Sequence, residues 1–424
     1  MELINTKHPT DVVSFREAVL TGLGRDQGLY FPRHFEALPD IDSLLQMAFV
    51  PRSAAILQHL TAGEVNADTL HAMVATAFDF PLEVSALDDG IQALELFHGP
   101  SLAFKDFGAR FMARCLGEFH DSGPMTILTA TSGDTGAAVA HAYFGQPGID
   151  VVVLYPKGRI SPLQEKLFCT LGGNVRTVAV EDDFDACQRL VKEAFDDNPL
   201  KRTLGLNSAN SINIARLLAQ VCYYFEAAAA CDDPEKLVFS VPSGNFGNVT
   251  AGLIARAIGL PYKRMIAATN VNDTVPRFLA SGRWDPHPTV TTLTNAMDIS
   301  LPNNFPRVLE LGTRHGLPLE SLLTAVALDD TATRAAMRTL HQRGYLADPH
   351  SALAWAALDA SLHADEKGVF LCTAHPAKFL EVIEDTLGIG VELPPALQAV
   401  REKTVLSTTI AAEFSALRAV LLEK

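Results

Sequence analysis

From Met125 onward the chain alternates buried strand and helix, joined by loops of glycine and hydroxyl residues. Met125-Thr-Ile-Leu-Thr-Ala-Thr131 reads as a buried strand that runs into Ser132-Gly-Asp-Thr-Gly136 and then an alanine-rich helix, Ala137 to Phe144. Val151 to Tyr155 is a second strand. The helix after it opens on Ser161-Pro162, an N-cap with proline in the first turn, and stops at Gly172-Gly173. Val175 to Val180 is a third strand, after which Phe184, Cys187, Leu190, Val191, Ala194 and Phe195 keep helical spacing. The unit returns with Leu237 to Val241, the loop Pro242-Ser-Gly-Asn-Phe-Gly-Asn248 and a helix through Ile258, and further strands are expected at Arg264 to Thr269 and Val369 to Thr373. This pattern gives an α/β fold of open parallel sheets with flanking helices, in which ligands sit at the carboxyl ends of strands.

A chain of 424 residues exceeds what one hydrophobic core usually supports, so two α/β lobes and an N-terminal helical lobe are expected. The N-terminal lobe is placed at 1–92. It holds a short amphipathic segment from Phe15 to Leu20, an extended arm from Gln27 to Pro32, and helical patterns near Ile41 to Ala48, Ser53 to Leu60 and Ala67 to Phe78. The larger α/β unit is placed at 93–122 and 205–424 and the smaller one at 123–204. Five prolines between Asn270 and Pro306 mark irregular structure over the sheet, part of an insertion near 270–345, and the tail beyond Glu392 reads as helical.

Net charge is −15 with no dense run of Lys or Arg, which argues against nucleic acid or an anionic membrane as partner. The start lacks a cationic leader followed by an apolar segment, and no apolar run approaches the roughly 18 residues of a spanning helix, so a cytoplasmic protein is expected. Cys115, Cys169, Cys187, Cys222, Cys231 and Cys372 form no C-x-x-C pair and read as reduced packing thiols. The histidines show no H-E-x-x-H spacing, and no metal is expected.

The chemistry centres on Glu95-Leu-Phe-His-Gly-Pro-Ser-Leu-Ala-Phe-Lys-Asp-Phe-Gly108, which sets Lys105 among Phe97, Leu102, Phe104 and Phe107. Such a lysine either snorkels, with its ammonium in water or on Asp106, or is an amine kept partly neutral by desolvation, as attack on a carbonyl requires. Two Ser-Gly-x-x-Gly loops bear on the choice. Ser243-Gly-Asn-Phe-Gly-Asn248 can turn backbone N–H groups inward at a helix start, where phosphate is favoured, or can be a tight turn; it is neither G-x-x-x-x-G-K-[ST] nor G-x-G-x-x-G. Asp134 makes Ser132-Gly-Asp-Thr-Gly136 a poor phosphate cradle. That loop suits a carboxylate held by backbone donors, including those of Gly133 and Asp134, and by Thr131, Ser132 and Thr135, or it is a plain helix cap. A lone lysine, a phosphate loop and a carboxylate loop together suggest pyridoxal phosphate holding an amino acid.

Phe97 to Asp106, Thr129-Ala-Thr-Ser-Gly-Asp-Thr-Gly136, Pro242 to Asn248 and Thr373-Ala-His-Pro-Ala-Lys-Phe379 together resemble the threonine synthases of bacteria and fungi. The likeness spans nearly the whole chain, including Gly28-Leu-Tyr-Phe-Pro32 and Ala267 to Asp273. It implies a fold-type II pyridoxal-phosphate enzyme that converts O-phospho-L-homoserine and water to L-threonine and phosphate, as a monomer or homodimer. By the resemblance, Lys105 is the Schiff-base lysine; Gly244, Asn245, Phe246, Gly247 and Asn248 hold the cofactor phosphate; Thr373 meets the pyridine nitrogen. Many relatives of this fold type carry asparagine where this chain has Asp134, and that asparagine meets the ring hydroxyl, so the partner of that oxygen is left open.

A substrate with its own phosphate needs a second anion site. Lys157 and Arg159, beside the helix start at Ser161, are the first candidates, against the alternative of solvated loop charges; Ser208 to Asn213 and Arg216 are the second. His98 is read as a structural hydrogen-bonding residue. Two other functions fit the same motifs: a different fold-type II lyase, such as an amino-acid dehydratase or a β-replacing enzyme, and a non-catalytic pyridoxal-phosphate-binding protein.

Overall fold

Strands that are apolar on both faces need helices on both sides, and the two parallel sheets are built that way. The computed structural model describes residues 1–88, 90–120 and 123–423. One sheet has five strands in the order Thr408–Ile410, Val175–Val180, Ile149–Pro156, Met125–Ala130 and Leu206–Asn207, every pair parallel. Successive side chains along these strands enter different cores. Ile127, Val151 and Val153 join the main core, while Leu128, Val152 and Leu154 join a separate one under Phe184–Asp196 and Phe414–Leu422.

The second sheet has six strands in the order Leu323–Ala327, Arg264–Thr269, Leu237–Pro242, Lys367–Cys372, Ile91–Glu95 and Glu83–Asp88. Its first five run parallel, and Glu83–Asp88 closes the edge antiparallel to Ile91–Glu95. Phe239 and Val241 face the main core, and Val238 faces the core formed with Asp330–Gln342 and Pro349–Asp359. The helix Ile214–Ala229 is buried along nearly its whole length and packs against both Lys105–Phe119 and Gly247–Ala257.

Several short elements depart from the sequence expectations. The N-terminal lobe has the expected helices, at Ile41–Leu45, Phe49–Leu60 and Ala67–Ala77, and adds a three-stranded antiparallel sheet of His8–Val13, Leu3–Asn5 and Tyr30–Pro32. His8–Val13 has no fully buried residue, so it carries no strong apolar alternation to read. Glu83–Asp88, inside the 1–92 span, is an edge strand of the six-stranded sheet. Leu206–Asn207 and Thr408–Ile410, both inside 205–424, join the five-stranded sheet. Their pairing is set by partners distant in sequence. Leu323–Ala327, inside the insertion near 270–345, is an edge strand of the six-stranded sheet, and the proline-rich segment contains the helix Thr274–Ser281.

Gly108 fixes how closely the Lys105 helix approaches its neighbour. A Cβ there would lie 2.8 Å from the Arg216 carbonyl oxygen and 3.3 Å from its Cα. Gly117, on the exposed side of the same helix, would meet only the end of Gln146, at 3.8 Å. Gly108→Ala is therefore expected to destabilise the protein by about 1–3 kcal/mol through overpacking. Gly117→Ala should be neutral or stabilising by up to about 1 kcal/mol through helix propensity. Urea midpoints of the two variants check this; equal effects would contradict the close-approach argument.

Candidate active site

Lys105 is the first residue of its helix, and the loop before it is stitched to the segment that follows strand Lys367–Cys372. The Phe104 N–H donates to the Thr373 carbonyl at 2.9 Å, and the His375 N–H donates to the Leu102 carbonyl at 3.0 Å. Leu102 takes a left-handed φ of 56° and donates to the Gly99 carbonyl at 3.0 Å, closing the Gly99-Pro100 turn. Asp106 accepts the Ser101 N–H at 2.9 Å, and a Cβ on Gly99 would lie 2.4 Å from its carboxylate. Burial pushes the Asp106 carboxyl up to about 6, against its bonds from Ser101. Asp106 thus organises the turn and does not pair with Lys105.

The partner of Lys105 is Asp134, which stands at the end of the five-stranded sheet. Lys105 Nζ lies 3.5 Å from Asp134 Oδ2, and Lys378 Nζ donates to Asp134 Oδ1 and, at 2.9 Å, to the Ser101 carbonyl. The Lys378 side chain is 1% exposed. Burial lowers the proton affinity of Lys105, and the neighbouring Lys378 and Arg216 cations push the same way while Asp134 opposes them. Burial would raise the Asp134 carboxyl, yet Lys378 and Lys105 hold it well below the usual carboxylate range. Two lysines from the six-stranded sheet therefore clasp one carboxylate from the five-stranded sheet.

The Asp134 loop owes its shape to Thr131, whose hydroxyl accepts the N–H groups of Gly133 at 2.9 Å and Gly136 at 2.8 Å. A Cβ on Gly136 would fall 2.4 Å from Thr131 Cγ2. Among the described residues the N–H groups of Ser132, Asp134 and Thr135 have no protein acceptor. Gln164, in the helix Pro162–Cys169 that Ser161 opens, reaches across to donate to the Lys378 carbonyl at 2.9 Å.

At the end of strand Leu237–Pro242 the chain turns through Phe246 at a φ of 59° into the helix Gly247–Ala257. Among the described residues the N–H groups of Gly244, Asn245, Phe246, Gly247 and Asn248 find no protein acceptor. Gly244 is required because a Cβ would sit 2.6 Å from Met297 Cα. Asn245 ties the loop to its surroundings, accepting the Asn303 N–H at 2.6 Å and donating to Ser211 Oγ at 2.8 Å. Asn248 Oδ1 takes the hydroxyls of Tyr223 at 2.6 Å and Tyr224 at 2.7 Å. Its carbonyl oxygen thereby anchors the loop to the central helix, while its Nδ2 is buried without a protein partner among the described residues.

The structure gathers some of the expected residues and not others. Lys105, the Thr131 to Thr135 loop and Thr373 meet, and the Thr373 hydroxyl has no protein partner among the described residues. Lys157 is turned away: its ammonium pairs with Glu181 at 3.0 Å at the surface, and Arg159 is exposed. The Ser208 to Asn213 segment does reach the site, through Thr129 to Asn210 at 3.3 Å and Asn245 to Ser211. Arg216 is fully buried and donates to the Ala209 carbonyl at 2.5 Å. His98 is bonded to Glu95 at 2.9 Å, and Glu95 also takes the Tyr345 hydroxyl at 3.0 Å. Lys378, which the sequence does not single out, joins the Lys105 cluster through Asp134. Its only signal is a second lysine in the Thr373 to Phe379 motif.

Comparison with known proteins accounts for nearly the whole chain. A family model for pyridoxal-phosphate dependent enzymes matches residues 88–374, and models for the threonine synthase N terminus and C-terminal region match residues 2–78 and 351–421. The threonine synthase of Haemophilus influenzae is 57% identical over the full length of both chains. The crystal structure of threonine synthase from Escherichia coli superposes with a TM-score of 0.94 at 55% identity, covering 100% of this chain and 99% of that one. The pyridoxal-phosphate-bound threonine synthase from Brucella melitensis gives 0.94 at 33% identity, over 99% and 98%. Motifs, fold and full-length similarity agree, and the chain belongs to the threonine synthase family of pyridoxal-phosphate-dependent enzymes.

Proposed function

We propose that this protein converts O-phospho-L-homoserine and water to L-threonine and phosphate, with Lys105 as the catalytic amine. The observation that carries the proposal is the Lys105 nitrogen, desolvated and held 3.5 Å from a carboxylate, on the same strand ends as a glycine loop with five unpaired N–H groups. That loop fits a phosphate: it opens an eleven-residue helix, whose N-terminal end is positive, and its backbone donors have no acceptor among the described residues. We assign Gly244 to Asn248 to the cofactor phosphate and the Thr373 hydroxyl to the pyridine nitrogen. When bound, pyridoxal phosphate supplies an aldehyde and a conjugated system that accepts the electrons left at the substrate α-carbon.

The chain's own groups do the rest. Lys105 Nζ, low in proton affinity because it is buried, is the amine to be displaced by the substrate amine and is then the base that takes the α-proton. The same Nζ carries a proton between the carbon positions as phosphate leaves and water adds. The substrate carboxylate is assigned to Ser132, Thr135 and the N–H groups of Ser132, Asp134 and Thr135; Asp134 would repel it were Lys378 not paired to that side chain. For the substrate phosphate we favour the Ser208 to Asn213 segment with Arg216, together with the helix end at Ser161, over Lys157 and Arg159, because Lys157 is engaged with Glu181. No helix among the described residues is long and apolar enough to cross a membrane. We place the protein in the cytoplasm, acting on a small molecule as a monomer or homodimer.

Incubating the pyridoxal-phosphate-loaded protein with O-phospho-L-homoserine should release phosphate and L-threonine in equal amounts, and Lys105→Ala should cut that rate by about a thousandfold or more. Phosphate accompanied by 2-oxobutyrate would contradict the assignment and indicate a dehydratase-type lyase. Gly247→Asp places a negative charge at the helix start, where a Cβ meets only the Asn304 side chain, 3.3 Å from its Nδ2. It should weaken cofactor retention by about tenfold or more, whereas Gly247→Ala should change it little. Equal dissociation constants for Gly247→Asp and the unsubstituted protein would move the phosphate to another loop.

A further inference from the structure

Two lysines share one buried carboxylate, and only Lys105 has been given a part in the reaction. Lys378 is the more deeply buried of the two and the more firmly held. It ends the short turn Pro376–Lys378. The turn's first N–H partner is His375, which is itself bonded through its backbone to Leu102. The Lys378 ammonium is fixed by Ser101 as well as Asp134, and its carbonyl is fixed by Gln164 from the opposite sheet. A cation so placed cannot follow the substrate, so its effect on the site is electrostatic.

The charged groups facing Lys105 are Asp134, Lys378 and Arg216, and the charged or titratable groups facing Asp134 are Lys378, Lys105 and His350, the last of which is bonded to Asp348. The centroid of the Phe104 ring lies 5.8 Å from Lys105 Nζ. With Lys105 alone as partner, Asp134 would hold the Lys105 proton tightly and leave little neutral amine. If Lys105 gave that proton up, Asp134 would be a buried charge without compensation, which is costly. A second, permanent cation removes both difficulties.

We propose that Lys378 is a positioning residue for the Lys105 chemistry: it keeps Asp134 ionised and turned toward Lys105 across the junction of the two sheets, and its charge offsets that carboxylate so that the Lys105 nitrogen can release its proton. The proposal rests on the reading of Lys105 given above. It carries a sign that a purely structural lysine would not. Without Lys378, the Lys105 nitrogen faces an unopposed carboxylate and holds its proton to higher pH. Without Asp134, it faces the Lys378 and Arg216 cations and loses its proton at lower pH. Removing both groups restores the balance.

The test is a pH titration of the visible absorbance of the full-length, cofactor-loaded protein, followed for Lys378→Met, Asp134→Asn, the double variant and Lys378→Arg. The midpoint is expected to rise by about one unit or more in Lys378→Met and to fall by about one unit or more in Asp134→Asn. The double variant and Lys378→Arg should titrate near the unsubstituted protein, the double variant because the opposite shifts cancel. Should Lys378→Met fail to fold, Asp134→Asn and Lys378→Arg decide: a lowered midpoint in the first with an unmoved one in the second supports the proposal. A midpoint unmoved in Lys378→Met or in Asp134→Asn, or shifts of the same sign in the two, would overturn it while the absorbance itself still reports on Lys105. A visible band that survives Lys105→Ala would remove the underlying reading, and the proposal with it.

Discussion

The contact on which the site depends is the buried Asp134 carboxylate clasped by Lys105 and Lys378. Each partner comes from a different part of the chain, and none of them would be buried as an ion alone. Asp134 follows strand Met125–Ala130 of one sheet, while Lys105 and Lys378 follow strands Ile91–Glu95 and Lys367–Cys372, which are neighbours in the other. The charge cluster therefore forms only when the two sheets are brought end to end. Conversely, the docking of the sheets is specified by a polar contact as well as by the apolar core. Removing one member of such a set costs more than the set contributes as a whole, because the remaining charge stays buried.

The phosphate loop follows a different logic, in which the backbone supplies the donors and the side chains supply the anchoring. Asn248 gives its carbonyl oxygen to two tyrosine hydroxyls on the central helix, and Asn245 bonds Ser211 and the Asn303 N–H. The five N–H groups are thereby fixed without being used. The same economy appears in the N-terminal arm. Buried Arg307 donates to the Tyr30 carbonyl at 2.8 Å and the Ile212 carbonyl at 2.7 Å, so the short strand Tyr30–Pro32 buttresses the Ile212 segment that reaches the site.

Legibility of the sequence tracked how local the determining physics is. Met125–Ala130, Val175–Val180 and Leu237–Pro242 could be read directly because burial on both faces leaves mostly apolar runs, interrupted only by Thr126, Thr129, Arg176, Thr177 and Ser240. The helix at Pro162 was marked by its own cap and by Gly172 and Gly173, both of which adopt positive φ, at 65° and 62°. Leu206–Asn207 and Thr408–Ile410 could not be read, since strands of two and three residues carry no period of their own. The site divided in the same way. Lys105 and the two glycine loops announced themselves by local context. Lys378 lies 244 residues from the carboxylate it serves, inside a proline turn without periodicity. Lys157 looked like an anion ligand beside a helix start until Glu181, from the end of the next strand, took its charge.

Both lysines at the junction are buried amines beside the same carboxylate, so the assignment of Lys105 depends on which of them carries the cofactor. Borohydride reduction of the pyridoxal-phosphate-loaded protein, followed by proteolysis and peptide mass mapping, fixes the label irreversibly to the amine that holds it. The account predicts the pyridoxyl mass on the peptide containing Lys105 and an unlabelled Lys378. Label on Lys378, with Lys105 unmodified, would contradict it.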